Sequence, residues 1–481
     1  MSHERSIAKN MFAMSAGHIA GRVLMFVFTV ILARELGDES FGTFSFAFAY
    51  VAFGFIVADL GISVYSVREI AKDPSREREF LENGMPLKLV LSAIAGILML
   101  GVLFALAPFL DDSRELLRII PWLAVYVLGD SFIRLFVAIF RARHNMEVEA
   151  VINVFIRVII TSFGILILYS DRFADPLLVI ILVYTVAHLL AVLFLFEKIR
   201  SLFPRIRFRW LFSSWKTILT HSWPFALSIF FTGIYYNLDT LMIGFMRNFE
   251  EVGWYNAAYR IIFFLLMFIA TFQSVLLPVF SKLAQSSKEE LRRMMSLASR
   301  VLFMATIPLA VGGLFVARDL LNLVYTEEYV NGAIALSILL FTVVVNGASS
   351  VYATAMQAMG HQKIQLHATA AGAILNAVLN AAVIPVFSLN GAAVTTLISE
   401  LAVLFYLMVK LRPLLQYSLS PHLARPVLAG CCMGLGLWLF HPPHVLVAIA
   451  LGAGIYGIAL IVVGGVRLEE LRKLTGMLKR G

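Results

Sequence analysis

Stretches of about twenty apolar residues recur along the whole chain, and that recurrence leaves few folds open. They occupy 12–33, 40–62, 86–109, 119–140, 150–169, 176–196, 217–246, 254–280, 300–317, 330–357, 366–387, 390–410, 424–440 and 445–466. Each is about the length a helix needs to cross a hydrocarbon core roughly 30 Å thick. Composition agrees: 60% of the 481 residues are hydrophobic, 14% are charged, and the mean hydropathy is +0.86. So little polar surface cannot cover a soluble globule of this size. The sequence predicts an all-α polytopic membrane protein of about fourteen transmembrane helices. Its weakest boundaries are 388–391 and 441–444, and without them the count falls to twelve.

The basic residues test this independently, because short cytoplasmic loops collect Lys and Arg. With the N-terminus inside, most of the 39 Lys and Arg residues fall on the cytoplasmic side, including the group from Arg68 to Lys88. The outer loops hold Arg34, Arg114, Arg118, Arg172, Arg247 and Arg318, and the spans hold Arg22, Arg134, Arg157 and Arg260. Both termini are expected in the cytoplasm and the protein in the cell membrane. The formal charge of +9 then reports topology, with no nucleic-acid partner implied. The first run ends in Arg34-Glu35-Leu36 without a small-residue cleavage site, so it reads as a retained helix.

Internal echoes come next. Gly42-Thr-Phe-Ser-Phe-Ala-Phe-Ala-Tyr50 opens the second run after Asp38 and Glu39, and Gly253-Trp-Tyr-Asn-Ala-Ala-Tyr259 opens the eighth after Glu250 and Glu251. Phe140-Arg-Ala-Arg-His144 ends the fourth run, and Gln357-Ala-Met-Gly-His361 ends the tenth. These pairs imply a duplicated six-helix unit. The division is 1–203 for an N-lobe, 204–216 for a basic cytoplasmic linker, 217–412 for a C-lobe, and 413–481 for two extra helices and a tail. Six crossings return the chain to the side it started from, so the lobes should be related by a pseudo-two-fold along the membrane normal.

The run Ile31-Leu-Ala-Arg-Glu-Leu-Gly37 with Phe41-Gly42, its echo Val252-Gly-Trp-Tyr255, and the two helix-end segments resemble the polysaccharide exporters of the multidrug/oligosaccharidyl-lipid/polysaccharide superfamily. The resemblance covers the whole length. It implies a flippase for polyprenyl-diphosphate-linked oligosaccharides, with two six-helix lobes around a cavity that opens alternately to each side.

Interior arginines suit that cargo, because the planar guanidinium donates paired hydrogen bonds to phosphate and stays charged in a low-dielectric site. One at the middle of a span costs roughly 3 kcal/mol even on lenient insertion scales, which points to a use. Arg22, Arg157 and Arg260 are the main substrate-binding candidates, and the resemblance adds Ser15. The arginine such flippases often carry in helix two is replaced by Phe48-Ala-Tyr-Val-Ala52, and Arg157 is the substitute for it. Arg134 also belongs to the set, although Asp130 four residues earlier favours a local ion pair. Asp239 could pair with Arg260, and Arg157 could reach the interface by snorkelling.

Asp239, Asn376, Asn380, Thr395 and Thr396 supply hard oxygens from three helices. The resemblance implies a sodium site there, at Asp239, Asn376, Asn380 and Thr396, with Asn380 standing where an acid is expected. The alternative is that these residues join helices. Glu400 is a candidate proton carrier. No other cofactor is expected, and the partners are the lipid-linked glycan and the bilayer, with the chain a monomer. No P-loop and no catalytic acid motif on a substantial loop is present, so the chain reads as a transporter and not an enzyme. An ion-coupled multidrug exporter of the same superfamily is the alternative, opposed by the arginine-rich interior.

Overall fold

The computed structural model describes residues 2–110 and 113–465; the side chains of 2–20, 22, 109 and 420 lie outside the described residues, as does 466–481. The main helices are α1 (Ser2–Asp59), α2 (Ile62–Lys72), α3 (Glu77–Leu106), α4 (Ser113–Ala142), α5 (Glu147–Leu168), α6 (Pro176–Leu202), α7 (Phe212–Met246), α8 (Phe249–Ser286), α9 (Lys288–Val324), α10 (Ala333–Ala358), α11 (Gln362–Leu411), α12 (Ser420–Phe440) and α13 (Val445–Val462). Among the described residues there is no strand. Large apolar side chains such as Ile97, Phe104, Phe405 and Val462 are exposed, as expected where the solvent is lipid.

Among the described residues twelve helices are long and apolar enough to cross a membrane, against the fourteen spans the sequence predicts. The two numbers part at Gly37 in α1 and Ser388 in α11, single residues with positive φ where helix axes are interrupted. In α11 the consequence is explicit. Fifty straight residues would extend ~75 Å, far beyond a bilayer, and would hold residues 376 and 396 about 30 Å apart. Instead Asn376 donates to Thr396 at 3.5 Å. The halves of α11 therefore run antiparallel as a helical hairpin.

The chain forms two compact units, Met1–Gly253 and Trp254–Gly481. In the first, α4 packs on α3 and α6, and α1 on α3, α4, α5 and α7. The amphipathic α2, which no apolar run announces, turns Ile62, Tyr65 and Ile70 inward against α4 and α7 while Arg68 and Lys72 stay in solvent. Gly61 precedes it with φ +74°, and a methyl group there would stand 2.6 Å from the Ser222 carbonyl oxygen on α7. Both the backbone conformation and the close approach require glycine.

The echoed glycines meet within this unit. A side chain at Gly42 would strike the Phe249 carbonyl, and one at Gly253 the Asp38 carbonyl, so α1 and the first turn of α8 cross backbone on backbone. The repeat seen in the sequence is thus partly a matched pair of close-approach sites.

The linker segment 203–211 is non-helical and lies along α3. Buried Glu82 holds it by accepting from Arg209 Nε at 2.7 Å and from the Arg207 amide at 3.2 Å. Trp215 Nε1 donates to the Asn83 carbonyl at 3.1 Å just beyond.

In the second unit α10 packs on α9 and α11, while α12 and α13 pack on α9. Met433, Leu437, Ala448, Tyr456 and Leu460 form the core of that last contact. Gly430 and Gly434 let α12 approach the Ile307 and Val311 side chains of α9, the small-residue packing that serves where lipid offers no hydrophobic drive.

Candidate functional site

Ser15 and Arg22, two of the five substrate-binding candidates, lie outside the described residues as far as side chains go. Arg157 sits at the midpoint of α5, deeper than the two turns from the helix end that the apolar run suggested. Its guanidinium lies directly on the backbone of Gly21 in α1, and a side chain at Gly21 would collide with Nη1. Glycine one residue before Arg22 therefore makes room for an arginine from another helix.

Arg134 lines a cavity of about 340 Å³ bounded by α1, α4 and α7. As the spacing suggested, its Nε pairs with Asp130 one turn back on α4. The guanidinium also stands 5.5 Å from the centroid of the Phe55 ring. Beside it Asp59, the last residue of α1, accepts from Lys88 and Ser63. Ser131 donates to the Ala58 carbonyl at 3.0 Å, fixing α4 to that end of α1.

Lys88 is the main correction to the sequence reading, which counts it among cytoplasmic loop residues. It is wholly buried inside α3. An unpaired ammonium at such a position would be costly, and Asp59 is the partner that offsets that cost. The signal was available, since Lys88 stands only two residues into the run that begins at 86. What the sequence could not supply was the partner, twenty-nine residues earlier on another helix.

A second feature was also missed. Ser228, Thr232 and Tyr236 recur every fourth residue on α7 and, with Asn237, line the same cavity. The sequence reading treated this stretch as an apolar span, yet its mean hydropathy of 1.2 is the lowest of the twelve.

In the second unit α11 joins the neutral candidates through its hairpin. Asn380 Nδ2 donates to Asn376 Oδ1 at 3.0 Å, and the Thr395 hydroxyl bonds to Asn380 Oδ1. All four residues, Asn376, Asn380, Thr395 and Thr396, are buried, as is Glu400 further along the second half. Both amide oxygens thus already accept from protein donors. Asp239 is buried on α7 of the first unit. Arg260 is half-buried on α8, in reach of Tyr325. Burial pushes the Tyr325 phenol well above its ordinary range, and the Arg260 charge acts against that shift. Among the described residues no cluster of His, Cys, Asp and Glu could hold a metal ion. His188 is a packing residue, its Nδ1 2.8 Å from the Tyr184 carbonyl and its ring edge-on to Tyr126.

The described structure is that of an all-helical polytopic membrane protein, and the family matches place it among the transporters of the multidrug/oligosaccharidyl-lipid/polysaccharide superfamily. The family described as "Polysaccharide biosynthesis protein" matches residues 7–284, more than half of the chain, and the chain belongs to that family. The MatE family matches 224–382. The "probable low-salt glycan biosynthesis flippase Agl15" of Haloferax volcanii is 23% identical over 399 residues, covering 82% of this chain and 81% of that protein. Among solved structures, the lipid II flippase MurJ in an inward closed conformation superposes with a TM-score of 0.77 at 13% identity, over 93% of this chain and 98% of that one. An inward-facing multidrug resistance MATE transporter gives 0.65 at 16% identity, over 82% and 95%. At these identities the two structures speak for the fold.

Proposed function

We propose that this protein flips a polyprenyl-diphosphate-linked oligosaccharide from the cytoplasmic to the outer leaflet by alternating access, with arginines holding the diphosphate. The observation that carries the reading is Arg157, a guanidinium at mid-helix depth seated against Gly21 beside Arg22. Arg260 on α8 and Ser15 on α1 are further proposed substrate contacts, with Arg134 serving the same substrate. The family and the curated flippase relative support the substrate class.

In this reading both termini are cytoplasmic, the protein works as a monomer in the cell membrane, and the prenyl tail stays in lipid while the polar head crosses. An inside-negative potential drives about two negative charges outward with roughly 4 to 5 kcal/mol per 100 mV. Export therefore needs no coupling ion. We read the Asn376, Asn380, Thr395 and Thr396 cluster as a clasp on the α11 hairpin, since its amide oxygens are engaged internally. A sodium ion held by Asp239, Asn376, Asn380 and Thr396 would be one route to coupling, and protonation of Glu400 the other. Stabilisation by sodium over choline that vanishes in Asp239→Asn would establish the sodium reading.

Reconstitution tests the function directly. Liposomes with a fluorescent polyprenyl diphosphate sugar should show transbilayer movement that Arg157→Ala, Arg22→Ala and Arg260→Ala each lower by at least about tenfold, the scale of one lost charged hydrogen bond. Absence of movement, with transport of cationic dyes in the same vesicles, would overturn the reading in favour of a multidrug exporter.

A further inference from the structure

The cavity between α1, α4 and α7 carries polar chemistry that an anion site does not need. Its lining holds two charged groups, Arg134 and Asp59, and each is matched by a partner behind the wall, Arg134 by Asp130 and Asp59 by the buried Lys88. The four charges cancel locally, so a phosphate entering here would find no net positive field, and its own charge would still have to be desolvated. Arginine is an effective phosphate clamp when its charge is uncompensated, which makes this a poor place for the diphosphate.

What the cavity offers instead is a set of groups that donate and accept together. Ser228, Thr232 and Tyr236 share one face of α7 because they are spaced by four residues. Ser228 and Thr232 are exposed, and lipid would be an unfavourable neighbour for such a row. The Thr232 hydroxyl donates to the Ser228 carbonyl at 2.9 Å, which leaves its oxygen to accept. Asn237 Nδ2 donates one proton to the Gly233 carbonyl at 3.0 Å, which leaves a second N–H and the amide oxygen. Arg134 spends Nε on Asp130, and its two terminal nitrogens have no acceptor among the described residues. Ala52, Phe55, Ile56 and Ile229 supply the apolar walls.

A neutral polyhydroxyl ring meets that description. Each of its hydroxyls both donates and accepts, and its C–H faces need apolar contact. The volume, about 340 Å³, sits at the small end of the roughly 300–1,000 Å³ range of ligand cavities, suited to a sugar residue more than to a whole oligosaccharide. We infer that this cavity is a sugar subsite, in which the α7 row Ser228, Thr232, Tyr236 and Asn237, with Arg134, binds the uncharged glycan end of the substrate. The inference rests on the flippase reading and divides the substrate between two places: diphosphate near Arg157, glycan at α7.

Two soluble probes test it on the full chain in nanodiscs of uncharged lipid: a short prenyl diphosphate bearing one N-acetylhexosamine, and the same prenyl diphosphate without the sugar. Asn237→Ala and the near-isosteric Thr232→Val should each weaken the sugar-bearing probe by roughly five- to tenfold, as loss of a neutral hydrogen bond does, and leave the bare probe within about twofold. Arg157→Ala should weaken both. Equal loss on both probes in the α7 variants, or no loss on either while Arg157→Ala still acts, overturns the sugar subsite alone. A wild-type protein that binds neither probe overturns the flippase reading together with it.

Discussion

The charges around Asp59 in the first unit are held by counter-charges, where the α11 hairpin of the second is closed by neutral amides and hydroxyls, and the two solutions differ in what holds them. Around Asp59, Lys88, Arg134 and Asp130 every charge depends on a counter-charge, and the Asp59–Lys88 link is drawn from different helices. In α11 the Asn376, Asn380, Thr395 and Thr396 cluster depends on the hairpin geometry of one element. Breaking an ion pair in a low-dielectric interior strands a charge, while breaking a neutral pair strands only a dipole. The comparison teaches that the first unit's polar interior is the more costly to disturb and the more dependent on tertiary assembly.

The largest effect should come from Lys88→Met, which strands Asp59 and should destabilise the protein by about 3–5 kcal/mol, read as a fall in the unfolding midpoint in detergent. Adding Asp59→Leu removes the stranded carboxylate and should recover most of that loss. If the double variant is no more stable than Lys88→Met alone, the ionised-pair description of the first unit is wrong.

Asn380→Leu should cost less, about 1 kcal/mol, because interhelical hydrogen bonds in membranes average well under that of a buried ion pair. A double-mutant cycle with Thr395→Val should show coupling, since the two side chains bond directly. Loss in Asn380→Leu as large as in Lys88→Met would erase the contrast between the units.

The smallest expected effect is at Glu82, a buried carboxylate whose arginine partners are half-exposed. Glu82→Gln removes the charge that anchors the 203–211 strap and should shift global stability by less than about 1 kcal/mol, since Arg78 and Arg209 are half-exposed. It should nevertheless speed trypsin cleavage after Arg205, Arg207 and Arg209. An unchanged cleavage rate would show that Trp215 and the backbone bonds hold the strap without Glu82.

Much of the architecture was readable beforehand, for a specific reason. Apolar runs of bilayer length and the asymmetry of Lys and Arg are one-dimensional signals that the membrane imposes on every crossing. The Arg134–Asp130 pair was readable too, because i,i+4 neighbours on a helix must meet. The clustering of Asn376 and Asn380 with Thr395 and Thr396 could be anticipated from composition and resemblance, but the hairpin at Ser388 that brings them together rests on a single residue's backbone. Nothing local to Lys88 says that Asp59 lies beside it, and nothing local to Ser228 says that a cavity opens there. Those facts depend on which helix faces which.

The sequence by itself determined that this chain lives in a membrane as helices, because an apolar run in lipid has no other way to satisfy its backbone. It also pointed to the family, and it showed arginines within the apolar runs. The tertiary structure alone decided which distant groups meet: Lys88 finds Asp59 on another helix, and Arg157 is brought against the backbone of Gly21. Charge compensation is a property of distances a few ångströms long between segments far apart in the chain, and only packing sets those distances.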